Sequence, residues 1–155
     1  KPIAIRVPSN GVNHTAEPVD TEYSYTPQYK VARQGSLVAI IAAGSFYQKG
    51  ENVAEILAAK GINATLINPR YLNAVDAETL NSLKAEHSLV VTLEDGCKDG
   101  GFGERIASYY GTSDMKVLVS GVKKDLYDRY DLRQLLADNR LLDEQIVDDI
   151  LAIIK

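Results

Sequence analysis

LVVTLEDGCKDGGFGERIASYY, residues Leu89 to Tyr110, decides the architecture. The opening Leu89–Leu93 is a run of apolar and β-branched residues without polar alternation, the pattern of a strand buried on both faces. The acidic pair Glu94 and Asp95 follows at the strand's carboxyl end. A glycine-rich turn through Gly96, Gly100, Gly101 and Gly103 then leads into a helical pattern ended by Gly111. Strand, glycine turn and helix start in that order form the switch region of an α/β sheet, where ligands and partner chains gather.

Working outward, the same alternation repeats. Lys30–Arg33 reads as a strand turned at Gln34-Gly35 into Leu37–Ala43, an apolar run suited to the sheet centre. Gly44-Ser45 opens a helix to about Lys60, with Val53, Ile56 and Leu57 as its buried stripe and Gly61 as a left-handed cap. Ile62–Ile67 is the next strand. Asp76 is an N-cap with Val75 and Leu80 as a hydrophobic staple, for a helix running to about Glu86. After the central stretch, Met115–Val119 is a further strand. Asp131 with Gln134 resembles a capping box for a short helix carrying Leu132, Leu135 and Leu136. Asp143 is the expected cap of a terminal helix, Glu144–Ile154, with one apolar face. The expected fold is α/β: a three-layer sandwich with a mostly parallel sheet of about five strands and helices on both faces.

The N-terminal portion reads differently. Ile3–Val7 has the composition of a short strand ending at Pro8. Ser9–Tyr29 is polar, with Asn10-Gly11, Pro18, Pro27 and three tyrosines, and reads as a linker arm. Tyr23, Tyr25 and Tyr29 are expected to pack that arm on a surface, because no basic residues interleave them as in a base-stacking platform. The expected division is residues 1–35 for the end of a preceding domain plus the arm, and 36–155 for the α/β domain. Lys1 with no initiator methionine suggests a piece of a longer protein.

Composition narrows the function. With 155 residues, 45% hydrophobic, the chain can bury a sizeable core. A net charge of −4 gives no basic footprint for nucleic acid and no polybasic membrane patch. No apolar run approaches the roughly 20 residues of a spanning helix. A single cysteine, Cys97, forms no internal disulfide and fits a reducing cytoplasm.

Several residues could carry chemistry, each with a plainer reading beside it. The amides of Gly96–Gly103 could hold an anion at the helix start, but the spacing matches neither a dinucleotide fingerprint nor a P-loop, and Asp99 would repel phosphate. A tight turn between closely approaching backbones is the favoured alternative. Glu94 and Asp95 could be acid, base or metal ligands, with capping of the loop's own amides favoured. Cys97, near Lys98, reads as a non-catalytic thiol. His14 reads as solvated and His87 as structural. Arg6 and Arg70 could each bind a carboxylate or phosphate, while for Arg6 a salt bridge tying strand to arm is the alternative. Asp125, Asp128 and Asp131 with Lys123, Lys124 and Arg129 look like a solvated mixed-charge face. No zinc spacing or nucleophile triad appears.

LVAIIAAG to Gly44, NAVD to Asp76, EDGCKDGGFG from Glu94 and the tail from Gly121 together resemble the C-terminal domain of transketolase-like thiamine diphosphate enzymes, above all the 1-deoxy-D-xylulose-5-phosphate synthases. The resemblance covers nearly the whole chain. It implies a structural and dimer-forming part of a transferase that condenses pyruvate with glyceraldehyde 3-phosphate and releases carbon dioxide. Thiamine diphosphate and magnesium would be held upstream, by the parent enzyme rather than by these residues. The implied partners are the upstream domains of the same chain and a second copy in a homodimer, with no nucleic acid and no membrane, in the cytoplasm. The family's R-Y-P-R-G stands here as RVPSN, so Arg6 matches the first arginine and becomes the candidate substrate-binding residue. Ser9 replaces the second arginine and Asn10 the glycine, which removes a charge expected on the substrate phosphate. A transketolase half-chain, the β-subunit of a 2-oxoacid dehydrogenase, and a non-catalytic assembly or anion-binding module are the alternatives.

Overall fold

The computed structural model describes residues 2–5, 11, 21 and 28–155. In chain order its elements are β1 (Lys30–Arg33), β2 (Leu37–Ala42), a single 3₁₀ turn (Gly44–Phe46), α1 (Tyr47–Ala59), β3 (Thr65–Asn68), α2 (Ala77–Leu83), β4 (His87–Cys97), α3 (Phe102–Tyr110), β5 (Lys116–Val122), α4 (Leu132–Asp138) and α5 (Asp143–Ile154). The five strands form one sheet in the order β1-β3-β2-β4-β5. β3, β2, β4 and β5 run parallel, and β1 is antiparallel on the β3 edge.

Strand periodicity explains the three layers. Along β2, Val38, Ile40 and Ala42 face one way and pack with Val53, Ala54 and Leu57 of α1 and Ile146, Val147 and Ile150 of α5. Ala39 and Ile41 face the other way, toward Leu80 and Leu83 of α2 and Phe102, Ile106 and Tyr110 of α3. Successive side chains of a strand alternate between faces, so a strand covered on both sides must be apolar at every position. That is why LVAIIA carries no polar residue, and each of the buried Val38, Ile40 and Ile41 side chains contributes about 1.5–3 kcal/mol.

Local chemistry sets the helix ends. Gly61, at φ +85°, supplies the left-handed residue that ends the α1 turn. Asp76 caps α2, its carboxylate accepting from the Thr79 N–H at 3.1 Å and the Thr79 hydroxyl at 2.7 Å. Val75 and Leu80 meet in the same apolar cluster, as the staple requires. Asp131 caps α4 by accepting from the Gln134 N–H at 2.8 Å, but the Gln134 amide donates forward to Asp138 at 2.7 Å, so the box is only half formed.

Several expectations change. Pro2–Ile5 forms no strand, and Ile3 and Ile5 are each 83% exposed. β-Branched residues need a neighbouring strand, and none among the described residues lies beside them. Asp143 is not a cap. Leu142 holds the N-cap position, its N–H donating to the Gln145 side chain at 3.2 Å. Asp143 instead sits in the first helical turn, bonded to Lys49 at 2.6 Å and Asn52 at 2.9 Å, which ties α5 to α1. α2 stops at Leu83, and turns replace its expected last residues to Glu86. β4 runs on through Glu94–Gly96 to Cys97, which pairs with Val122 after a register irregularity. β1 follows the expected strand but pairs with β3, not with β2, although it precedes the expected division between residues 35 and 36.

Candidate functional site

β2 has β3 on one side and β4 on the other, and the chain crosses to opposite faces of the sheet from its two sides. The crevice between the carboxyl ends of β2 and β4 is therefore the topological switch point. At its mouth the Ser45 hydroxyl donates to Asp95 at 2.8 Å, and the Ala43 N–H donates to the Leu93 carbonyl at 2.8 Å.

Glu94 sits just below. Period two along β4 puts Val90, Thr92 and Glu94 on the α3 side, so the Glu94 carboxylate lies under the first turn of α3. It is 8% exposed. Its Oε2 accepts from the Phe102 N–H at 3.0 Å and its Oε1 from the Gly103 N–H at 2.9 Å. Those N–H groups carry the positive end of the helix dipole and have no partner within the helix. Gly101 and Gly103 make the approach possible: a Cβ at Gly101 would stand 2.7 Å from both Glu94 oxygens, and one at Gly103 would collide with the Thr92 hydroxyl. Other loop amides are also engaged. Gly100 N–H donates to Glu104 at 2.7 Å and Gly101 N–H to the Lys98 carbonyl at 3.0 Å. The anion at this helix start is the protein's own: the capping reading favoured for Glu94 describes the Phe102 and Gly103 amides, and the close backbone approach favoured for the turn is seen at Gly101 and Gly103.

The other candidates separate. Cys97 is a free, half-buried thiol 3.8 Å from Asp99, whose carboxylate also accepts from the Lys124 N–H at 3.1 Å. Cys97 lines a shallow cleft of about 260 Å³ together with Asp95, Lys123, Lys124, Tyr127 and Tyr130. Asp125, Asp128 and Asp131 are exposed, as a solvated face requires. Arg70 is half-buried with a left-handed backbone, φ +57°. Arg6, Ser9, Asn10, His14, Tyr23 and Tyr25 lie outside the described residues.

His87 is structural. Its Nδ1 is 3.0 Å from the Leu83 carbonyl, which can only accept, so Nδ1 carries the proton. Nε2 is then the acceptor for the Thr65 hydroxyl at 2.8 Å, and Thr65 Oγ1 in turn accepts from the Gly35 N–H at 2.9 Å. This relay joins the starts of β2, β3 and β4 at the amino end, opposite the switch point.

Tyr29 does what the arm tyrosines are expected to do. It is buried, its ring meets Phe102 edge-on at 6.3 Å, its N–H donates to Asp76 at 2.8 Å and its hydroxyl to the Ala74 carbonyl at 3.2 Å. Burial pushes the Tyr29 phenol up to about 12. Burial likewise raises Tyr110, whose hydroxyl donates to the Leu80 carbonyl at 2.7 Å. Asp76 is held below the usual carboxylate range. Burial pushes it up, but bonds from the Thr79 hydroxyl and the Tyr29, Thr79 and Glu78 amides outweigh that. Sequence reasoning missed the double duty of Asp76, because a cap is a local signal and its bond to Tyr29 spans 47 residues.

The family model for the transketolase C-terminal domain matches residues 28–146. The 1-deoxy-D-xylulose-5-phosphate synthase of Lachnoclostridium phytofermentans is 34% identical over 96% of this chain and 24% of its own length. That of Gloeothece citriformis is 33% identical over 97% of this chain and 24% of its own. The chain thus spans about a quarter of the length of these relatives. A split-gene transketolase, solved as an inactive β4 tetramer, superimposes with a TM-score of 0.75 at 25% identity, covering 88% of this chain and 45% of the other. A transketolase mutant from Pichia stipitis shares the fold at a TM-score of 0.56 and 11% identity. Matched by the family model over residues 28–146 and more than 30% identical to both synthases across nearly its whole length, the chain belongs to the transketolase C-terminal domain family.

Proposed function

We propose that this chain is the C-terminal domain of a 1-deoxy-D-xylulose-5-phosphate synthase. Its parent is a cytoplasmic homodimer that condenses pyruvate with glyceraldehyde 3-phosphate, using thiamine diphosphate and magnesium. The domain's own part is structural: it supports the upstream domains and contributes to the dimer. We draw its start at about residue 28, before β1, with the preceding residues forming the arm from the upstream domain.

The observation that carries the structural role is the Glu94 carboxylate bonded to Phe102 and Gly103. It fills the one place on an open α/β sheet where a phosphate would most readily sit. The residues present do not fit the cofactor either. Among the described residues no group of three His, Cys, Asp or Glu side chains could hold a metal ion, and the buried carboxylate at the switch point already accepts from two amides. Arg6 is the proposed contact to the substrate phosphate, standing in for the second arginine that Ser9 replaces.

The test uses the full-length parent protein with thiamine diphosphate and magnesium, following carbon dioxide release from pyruvate. Release that depends on glyceraldehyde 3-phosphate and yields a deoxyxylulose phosphate supports the synthase reading. Ketose phosphate turnover without pyruvate would overturn it in favour of a transketolase half-chain, the reading that the split-gene structural match favours.

A further inference from the structure

Between β5 and α4 the chain has no regular secondary structure, yet its backbone is held. Lys123 N–H donates to the Asn139 side chain at 2.8 Å and Lys124 N–H to Asp99 at 3.1 Å. The Tyr127 hydroxyl donates back to the Lys123 carbonyl at 2.8 Å. On this fixed segment Leu126 is 98% exposed and Tyr130 57%, with Leu132 at 49% and Tyr127 at 40%. The two tyrosine rings meet edge-on at 6.3 Å. Four large, exposed apolar or aromatic side chains thus fall within seven residues, whereas solvated loops present such residues singly.

Chain direction says what lies near it. β1 runs antiparallel, and its first residue Lys30 pairs with Asn68, the last of β3. The chain therefore enters this domain at the carboxyl rim of the parallel strands. The patch follows Val122, the end of β5, and so lies on the same rim. The order β1-β3-β2-β4-β5 separates the two by four strand spacings, about 19 Å. A domain joined through the arm that ends at Tyr29 reaches that rim at high effective concentration. The relatives carry about three quarters of their length outside the matched region.

We infer that Leu126, Tyr127, Tyr130 and Leu132 form the docking surface for the upstream domain of the same polypeptide. This rests on the reading of the chain as the C-terminal part of a longer enzyme. It assigns to an interdomain contact the tail segment whose charges alone suggest a solvated face. The four side chains would lie against an apolar surface, with Lys123, Lys124 and Asp125 at the rim of the contact.

The experiment incorporates p-benzoylphenylalanine at Leu126 in the full-length parent, with Lys60 at the opposite end of the domain as the control position. After irradiation, products are sorted by mass and mapped by peptide sequencing. Adducts at Leu126 within one polypeptide, to residues preceding this domain and several-fold above the Lys60 yield, are expected. Adducts of dimer mass would overturn the inference in favour of a second copy, and no adduct would overturn it in favour of a solvent-facing patch. The turnover assay on the same preparation is read separately. Failed synthase turnover with a clear intrachain map would leave the contact standing, and an empty map with full turnover would leave the synthase reading standing.

Discussion

Replacing Glu94 removes the anion at the start of α3 and tests whether the site closes itself. In Glu94→Ala the Phe102 and Gly103 N–H groups lose acceptors at 3.0 and 2.9 Å while still buried beneath the loop. An unsatisfied buried donor costs roughly 1–3 kcal/mol, and loss of a helix cap about 1 kcal/mol. Allowing for partial entry of water, the expected destabilisation is about 3 kcal/mol. Glu94→Gln keeps the shape but offers one acceptor oxygen and turns an NH₂ group toward the second N–H, so about 2 kcal/mol is expected. Urea unfolding followed by far-UV circular dichroism reads both. With a slope of about 2 kcal/mol/M, the midpoints should fall by about 1.5 M and about 1 M. If Glu94→Gln unfolds at the wild-type midpoint with an unchanged slope, the carboxylate is not what holds the helix start and the self-capping argument fails.

Other substitutions probe the remaining contacts. Gly103→Ala drives a methyl group into the Thr92 hydroxyl and Val119, so α3 must lift from the sheet. Calorimetry should show a loss of about 2 kcal/mol, and an unchanged transition would sink the close-approach argument. Thr65→Val strands the Gly35 N–H and His87 Nε2 and should cost about 2 kcal/mol in the same assay, with Thr65→Ser largely neutral. Nitrogen chemical shifts of His87 should show the proton on Nδ1, and the other tautomer would refute the relay. For Tyr29 the folded pKa of about 12 lies above the unfolded value, about 10. Its contribution to stability is thus complete below about pH 10 and lost as pH rises toward about 12. Tyr29→Phe should shrink the alkaline fall in stability over that window, and an identical pH profile would contradict the assignment.

Sequence resolved most where local and global signals coincide. LVAIIA could be placed at the sheet centre because a two-sided strand has no polar position to hide. Asp76 and Gly61 could be placed because caps follow from their immediate neighbours. The failures have a shared cause. Asp143 has the residue type of a cap, but its carboxylate is drawn to Lys49 and Asn52, more than 90 residues away, and Leu142 takes the cap position by default. β1 reads as the first arm of a turn into β2, yet it pairs with β3, because the crossover through α1 leaves β3's outer edge open. Neither choice is encoded within ten residues of its position.

The same distinction governs the glycine turn. Read as a string, GCKDGGFG offers free amides ahead of a helix, and only the fold shows that those at its helix start are taken. One sequence signal did point the right way: Glu94 lies two residues beyond Thr92 and four beyond Val90, on the face of β4 that α3 must cover. A carboxylate buried under a helix start has one low-energy arrangement, in which it accepts from the first N–H groups. Burial of Glu94 therefore implied its role, and the glycines at 101 and 103 follow from it, since larger residues would hold the helix away from the oxygens. The turn is glycine-rich so that the chain can bring its own anion close.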